Sequence, residues 1–291
     1  MLSRLLRMVA KLLMCVMLIG SLSTVTSGAD QVAKGPKPMF YLSLGDSLAV
    51  GIQPGFTDNS ETLHGYSNRV VNDVGPKYKL ILRNFGCGGE TTAQMLTSRG
   101  CPSRSVAANG VSYPGSSQLS AAVSFVRAHR AQIGLITINI GGNDIDQHVA
   151  LGTMKANLLR IGTLLRAATG TKVPILGLNS YDTVLASWLT GADGQILAEQ
   201  SVVQYRSSIN PVFGTVFART KVTLVDVSTA FGTFIPLSHL VNYDSFGSVP
   251  IAVKNICTLT WNCKLVNEHP TNAGYALIAS LIAKIYRALA T

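Results

Sequence analysis

The chain has 291 residues, of which 47% are hydrophobic, and its formal net charge is +10. This length is enough for one sizeable domain with a full hydrophobic core. The basic residues are scattered without a long run, which argues against a nucleic-acid-binding protein but allows attraction to anionic surfaces.

The N-terminus has the pattern of a secretory signal peptide. A basic start precedes an apolar run over 12–20, which is too short to span a membrane comfortably, and polar residues follow it at once. We therefore predict a signal peptide over 1–29, cleaved after Ala29, and a secreted, extracellular mature domain over 30–291. A membrane anchor is the disfavoured alternative.

Apolar runs alternate with helical patterns along the predicted mature region. Strands are predicted at 39–44, 79–85, 133–140, 173–179 and 221–227. Helices are predicted at 63–75, 117–131, 150–169, 195–218 and 272–290. This alternation predicts an α/β fold with a mainly parallel five-stranded sheet and helices on both faces. The poorly periodic stretch 228–262 is predicted to be a long loop region beside the active site.

Cysteine usage indicates disulfide bonds. Of the five cysteines, Cys15 lies in the predicted signal peptide, and an even number of four remains for an exported domain. Three pairings are possible, and we favour Cys87–Cys101 and Cys257–Cys263 because each closes a short loop beside a candidate catalytic segment. The sequence has no CxxC motif and no histidine pair at helical ligand spacing, so we predict no metal and no cofactor.

The first chemical signal is Ser47, in Gly45-Asp46-Ser47 directly after the first predicted strand. A small-residue turn at this point places the hydroxyl at the edge of the sheet where open α/β folds bind ligands. A hydroxyl is a weak nucleophile at neutral pH and needs a base, for which His269 before the last helix is the best candidate. Taken singly, the Gly-Asp-Ser segment is more simply interpreted as a tight turn with a helix cap, and His269 as a loop histidine before a helix.

Candidate donors for a developing oxyanion lie at three positions. They are the backbone N–H of Ser47, the backbone N–H of Gly89 in a glycine-rich segment, and the side-chain amide of Asn143 in Gly-Gly-Asn-Asp. A glycine turn and an Asx turn are the structural alternatives. A nucleophile, a base and oxyanion donors in this chain order together predict acyl transfer.

These motifs resemble those of the SGNH (GDSL-type) hydrolase superfamily. The resemblance covers about 40–290 and is carried by Gly-Asp-Ser at 45–47, the segment 84–92, Gly-Gly-Asn-Asp at 141–144, and the segment 269–275. It implies a flavodoxin-like three-layer α/β/α sandwich that cleaves esters, usually without a metal.

The resemblance also implies roles for individual residues. Ser47 would be the nucleophile and His269 the base, and an oxyanion hole would combine the Ser47 N–H with Gly89 and Asn143. Members of the superfamily often have an aspartate three residues before the histidine, where this chain has Val266.

The residue that orients His269 is therefore open at this stage. Glu268 is adjacent in sequence but would point away in an extended chain, and Asp226 is a more distant candidate. We favour a main-chain carbonyl in the segment 263–267, which would accept the Nδ1–H of the imidazole and fix its tautomer.

The sequence thus predicts a secreted, monomeric serine ester hydrolase that acts on a lipid ester or an acylated glycan. A polysaccharide deacetylase-type esterase is an alternative within the enzymes. A catalytically silent protein that binds envelope glycans is an alternative outside them. The fold and the catalytic residues do not determine the substrate, and whether 228–250 forms a lid is left open.

Overall fold

Five parallel strands form the main sheet in the part of the chain that the computed structural model describes, which is residues 37–54 and 59–290. The predicted signal peptide lies outside these residues. The strands are β1 Met39–Gly45, β2 Leu80–Asn84, β3 Ile133–Asn139, β4 Ile175–Leu178 and β5 Thr223–Val225. Their order across the sheet is β2-β1-β3-β4-β5, and every neighbouring pair is parallel. The five predicted strands and the parallel sheet are confirmed.

Helices cover both faces of this sheet. The α-helices are α1 Ser47–Val50, α2 Tyr66–Asp73, α3 Thr92–Thr97, α4 Gln118–Ala128, α5 Gly142–Asp146, α6 Leu151–Thr169, α7 Ala192–Gln204, α8 Asn210–Thr220, α9 Val227–Ala230, α10 Ile251–Leu259, α11 Asn262–Leu265 and α12 Asn272–Leu289. Short 3₁₀ helices lie at Asn59–His64, Ser103–Ser105, Arg130–Gln132, Thr183–Thr190 and Asp244–Phe246. No helix of the described residues is both long and apolar enough to cross a membrane.

The hydrophobic core has two halves, one on each face of the sheet. Successive strand side chains point to opposite faces, so Tyr41 of β1 packs in one half and Leu42 in the other. Helices α2, α10 and α12 cover the first half, through residues such as Val70, Val253 and Ile278. Helices α4, α6 and α8 cover the second, through residues such as Leu119, Leu158 and Phe213. The expected three-layer α/β/α sandwich is therefore confirmed.

The helix predicted over 195–218 is present as α7 and α8, which follow each other without a break in the helical backbone. A π-helical turn, Tyr205–Ile209, joins them. Pro211 lies in the first turn of α8, where its missing N–H needs no partner within that helix. Because a proline cannot donate to the preceding helical turn, the helix widens before it, and this π-helical turn is a local irregularity that we did not predict.

The stretch 228–262 has more regular structure than we predicted. It contains an antiparallel pair, β6 Leu240–Asn242 with β7 Ser248–Pro250, and the nine-residue helix α10. Helix α10 buries Ala252, Val253, Ile256 and Cys257, which is helical spacing. The pattern is only about two turns long, too short to be distinguished from a loop by periodicity alone.

Both favoured cysteine pairs are bonded in the structure, with Cα atoms 5.8 Å apart for Cys87–Cys101 and 5.1 Å apart for Cys257–Cys263. They enclose short loops, with sequence separations of 14 and 6 residues. Replacing either pair with alanine should lower the free energy of unfolding by roughly 2–3 kcal/mol, as measured by urea denaturation. Peptide mapping without reduction should recover these two linkages, and a crosslink from Cys87 to either late cysteine would contradict them.

Candidate active site

The turn after β1 holds Ser47 at the edge of the sheet. The Asp46 carboxylate caps helix α1, since its Oδ1 accepts the Leu48 N–H at 3.0 Å. The Asp46 N–H donates to the Asn139 carbonyl at the end of β3, at 3.0 Å. Gly45 has a φ of +146°, and a Cβ there would lie 1.9 Å from that same carbonyl oxygen. Only glycine therefore permits this close approach of β1 and β3.

The position of this turn in the sheet favours ligand binding. Strands β2 and β3 lie on opposite sides of β1, so the strand order reverses there. Open α/β sheets bind ligands at the carboxyl ends of the strands at such a point. Ser47 occupies this position and is only 9% exposed to solvent.

His269 lies in the loop before α12, and its ring is fixed by Asn267. The Asn267 Oδ1 lies 2.9 Å from the imidazole Nδ1 and also accepts the His269 backbone N–H at 3.1 Å. Because a backbone N–H is always a donor, the atom that faces it must be the amide oxygen, not the amide nitrogen. Nδ1 therefore carries the proton, and Nε2 keeps its lone pair.

The lone pair on Nε2 is available for catalysis. Among the described residues, this buried nitrogen has no hydrogen-bond partner. Burial lowers the pKa of His269, and the negative charge of Glu268 opposes this shift only in part. The imidazole is therefore neutral at pH 7, as a general base must be.

Our prediction of a main-chain carbonyl as the orienter of His269 is wrong. The acceptor is the side-chain amide oxygen of Asn267. An asparagine side chain readily reaches the backbone N–H two residues further on, and in this turn the imidazole Nδ1 of His269 contacts the same oxygen. Glu268 lies 3.7 Å from Nδ1 and its side chain is 47% exposed. Asp226 instead accepts from Asn179 Nδ2 and caps α9 through the Thr229 N–H.

The candidate oxyanion donors are free to bind. Within the described part of the chain, neither the Ser47 N–H nor the Gly89 N–H donates to a protein acceptor. Gly89 has a φ of +83°, and a Cβ built there would meet no atom within 4 Å, so the space beside it is open. Asn143 uses one hydrogen of its amide, Nδ2 to the Glu90 carbonyl at 2.9 Å, which leaves the second for a ligand.

A buried network connects these donors to the strand that carries the serine. The Gln118 side chain donates to the Gly45 carbonyl at 2.9 Å and accepts the Gly45 N–H at 2.7 Å. Its Nε2 also donates to the Glu90 Oε2 at 2.6 Å. Because Glu90 follows Gly89 and accepts from Asn143, this network links the segments of Gly89 and Asn143 to the strand that precedes Ser47.

Gln53 connects the turn after α1 to the histidine loop. Its Nε2 donates to the Asn272 Oδ1 at 2.8 Å, and its Oε1 accepts the Trp261 Nε1–H at 3.1 Å. The Trp261 backbone N–H in turn donates to the His269 carbonyl at 3.0 Å. The structure thus joins the Ser47 segment and the His269 loop, although it contains no hydrogen bond between the two side chains.

A small cavity of about 50 Å³ lies beside these residues, and Asp46, Leu48, Gly142 and Glu268 contribute to its lining. These are the sequence neighbours of the candidate nucleophile, of one oxyanion donor and of the candidate base. Burial raises the pKa of Asp46 and that of Glu90 to about 7 each. Both carboxyl groups are therefore partly protonated near pH 7, which limits the negative charge close to the oxyanion donors.

Three contacts in and around the candidate site were not predicted from the sequence. They are the Asn267 acceptor, the Gln118–Glu90 network, and Asp144, which accepts the N–H and the hydroxyl of Thr92 at 2.7 and 2.6 Å. An asparagine two residues before the histidine could have indicated the first. Among the described residues, no group of three His, Cys, Asp or Glu side chains could hold a metal ion.

The sequence matches the model of the GDSL-like lipase/acylhydrolase family over residues 43–277. No curated protein matches it. The fold is similar to that of TesA, at 17% identity and a TM-score of 0.50, with 86% of this chain and 99% of TesA covered. It is also similar to the psychrotrophic esterase EstA from Pseudoalteromonas sp., at 15% identity and a TM-score of 0.48, with 87% and 99% covered.

Proposed function

The chain belongs to the GDSL-like lipase/acylhydrolase family and is a carboxylic ester hydrolase, and we propose that Ser47 and His269 carry out its acyl transfer. The observation that carries this proposal is the state of His269. Asn267 holds the proton on Nδ1, and the buried Nε2 has no partner among the described residues. A neutral imidazole with a free lone pair, in a loop joined to the serine turn, is what a serine hydrolase requires.

In the proposed reaction, the Ser47 Oγ attacks the ester carbonyl carbon while Nε2 of His269 takes the hydroxyl proton. The Ser47 and Gly89 N–H groups and the Asn143 amide stabilise the oxyanion. The intermediate then collapses, the alcohol leaves with the proton from Nε2, and an acyl-enzyme remains. Water, activated by the same imidazole, attacks the acyl-enzyme and releases the acid.

The Asn267 side chain orients the imidazole of His269 but carries no charge. Its neutral amide oxygen accepts the Nδ1–H but adds no full negative charge opposite the imidazolium. Glu268, at 3.7 Å and half exposed, supplies a weak field only. The proposed machinery is thus a Ser47–His269 dyad with an amide orienter.

We also propose that residues 1–29 are a signal peptide and that 30–291 is the exported domain. Two disulfides support this proposal, since such bonds persist in oxidising compartments. The basic and then apolar pattern of the first residues supports it as well. N-terminal sequencing of exported protein should begin at Asp30, and an intact N-terminus on exported protein would contradict cleavage.

Hydrolysis of chromogenic acyl esters tests the enzymatic proposal, with the Ser47→Ala variant as the control. The wild-type protein should release the chromophore and the variant should not. Equal release by both proteins would show that the activity does not depend on Ser47.

The pH dependence of kcat/KM should report the state of His269. Because burial lowers its pKa, the base stays neutral in mild acid, so the acidic limb should inflect below pH 6.5. Glu268→Gln should move this limb further toward acid, since the Glu268 charge raises the pKa of His269. Asn267→Asp should move the limb the other way, because a carboxylate on Nδ1 favours the imidazolium.

This comparison separates His269 from the other buried groups. Glu268 is not among the charges that perturb Asp46 or Glu90, although both of these titrate at about 7. An acidic limb that is the same in all three proteins would show that His269 is not the titrating base.

A further inference from the structure

An apolar groove of about 430 Å³ lies close to the candidate active site. One wall is the 3₁₀ helix Thr183–Thr190, and the other is the turn of Cys263 and Val266, with Phe246 nearby. None of the residues that line the groove carries a charge. Val184, Phe246 and Val266 have exposed fractions of 40%, 47% and 91%. Binding sites for small molecules are concave and lined mainly by apolar side chains, as this groove is.

The groove adjoins the cavity beside Ser47. Thr183 lines both of them. The two walls are tied at this point, because the Asn262 Nδ2 donates to the Thr183 carbonyl at 2.7 Å. The Cys257–Cys263 disulfide anchors the second wall to α10. A ligand in the groove would therefore lie against a stiff surface that borders the cavity lined by Asp46 and Leu48, the neighbours of Ser47.

Val266 is held in a conformation that a valine disfavours. Its φ is +50°, in the left-handed region, which crowds a β-branched side chain. It is also the most exposed of the large hydrophobic residues in the described part of the chain. Neither property helps the folded protein, and an asparagine would satisfy the backbone better. A contact with a ligand is a physical reason for a valine at this position.

We infer that this groove binds the apolar chain of the ester substrate, so that the enzyme prefers esters with a medium or long hydrocarbon chain. This inference rests on the proposed function. A sugar would need hydrogen-bonding partners for its hydroxyl groups, and the groove offers mainly aliphatic and aromatic surface. A hydrocarbon chain needs no such partners and gains from each methylene that leaves water.

The test is a series of soluble p-nitrophenyl esters with acyl chains of increasing length, kept below their micelle concentrations. A second arm uses acetate esters of alcohols of increasing length. In one arm, kcat/KM of the wild-type protein should rise by roughly fourfold for each added methylene until the groove is full. The series whose kcat/KM rises with length shows whether the groove binds the acyl chain or the alcohol chain of the ester.

Val266→Asn is the decisive variant, because asparagine tolerates the left-handed conformation and should keep the melting temperature unchanged or higher. For the longest chains, kcat/KM should fall by tenfold or more, while acetate esters with a short alcohol should be hydrolysed within twofold of wild type. Ile196→Asn is the matched control, since Ile196 is 52% exposed on α7 and does not line the groove. It should leave the chain-length profile unchanged.

Three outcomes would overturn the inference. The first is a flat chain-length profile in both arms, and the second is a Val266→Asn profile equal to wild type. The third is a rate that rises only after the concentration is increased until the ester forms micelles, which would indicate docking to a lipid surface. None of them affects the proposed function, which is tested separately by the hydrolysis of acetate esters in Ser47→Ala.

Discussion

The Ser47→Ala variant should have a kcat lower than wild type by a factor on the order of 10³ or more. The reason is that the proposed mechanism forms the acyl-enzyme on this hydroxyl, which lies at the N-terminus of α1, at the point where the strand order reverses. The residual rate would come from the oxyanion donors alone. Steady-state kinetics on a short-chain chromogenic ester measures this loss.

A fluorophosphonate should label Ser47 in the wild-type protein, and mass spectrometry of the modified peptide identifies the position. Ser280→Ala is a suitable control, because Ser280 is an exposed serine on α12 and should be neither labelled nor needed. Full esterase activity in Ser47→Ala, with the label elsewhere, would remove Ser47 from the mechanism.

The second large effect is expected for Asn143→Ala, which should lower kcat by about 10²–10³ with little change in KM. One amide hydrogen of Asn143 is used by the Glu90 carbonyl, and the other is free for the oxyanion. The interaction strengthens as charge develops on the carbonyl oxygen, so its loss acts on the transition state more than on substrate binding.

Glu268→Ala is the matched control for this prediction. Glu268 is a polar neighbour of the base but makes no hydrogen bond to it, so kcat should stay within about tenfold of wild type. A fall to the level of Ser47→Ala, with the melting temperature unchanged, would make Glu268 a third catalytic member. An Asn143→Ala variant with wild-type kcat would show that the oxyanion hole is built without this amide.

Local patterns in the sequence were enough to predict the sheet and the position of the candidate residues on it. Apolar runs of strand length, each followed by a helical pattern, favour a parallel sheet. Each helix returns the chain to the end of the sheet at which the previous strand began, so the next strand runs in the same direction. Each candidate residue follows a strand within a few positions: Ser47 follows β1, Gly89 follows β2 and Asn143 follows β3. The parallel topology therefore places all three at one end of the sheet. The two cysteine pairs are also short-range, and both were predicted.

The contacts that prepare the site could not be predicted in this way. Gln118 forms hydrogen bonds with Gly45, 73 residues away in sequence, and with Glu90, 28 residues away. Contacts between residues so far apart leave no local periodicity from which they could be predicted. The choice of Asn267 over a backbone carbonyl depends on the side-chain conformation in one turn. The groove at Val266 exists only because α11 and the segment Thr183–Thr190 meet. The sequence by itself determined which strands are followed by the candidate residues, since that depends on local periodicity. The orientation, burial and protonation of those residues were decided only by packing between distant segments.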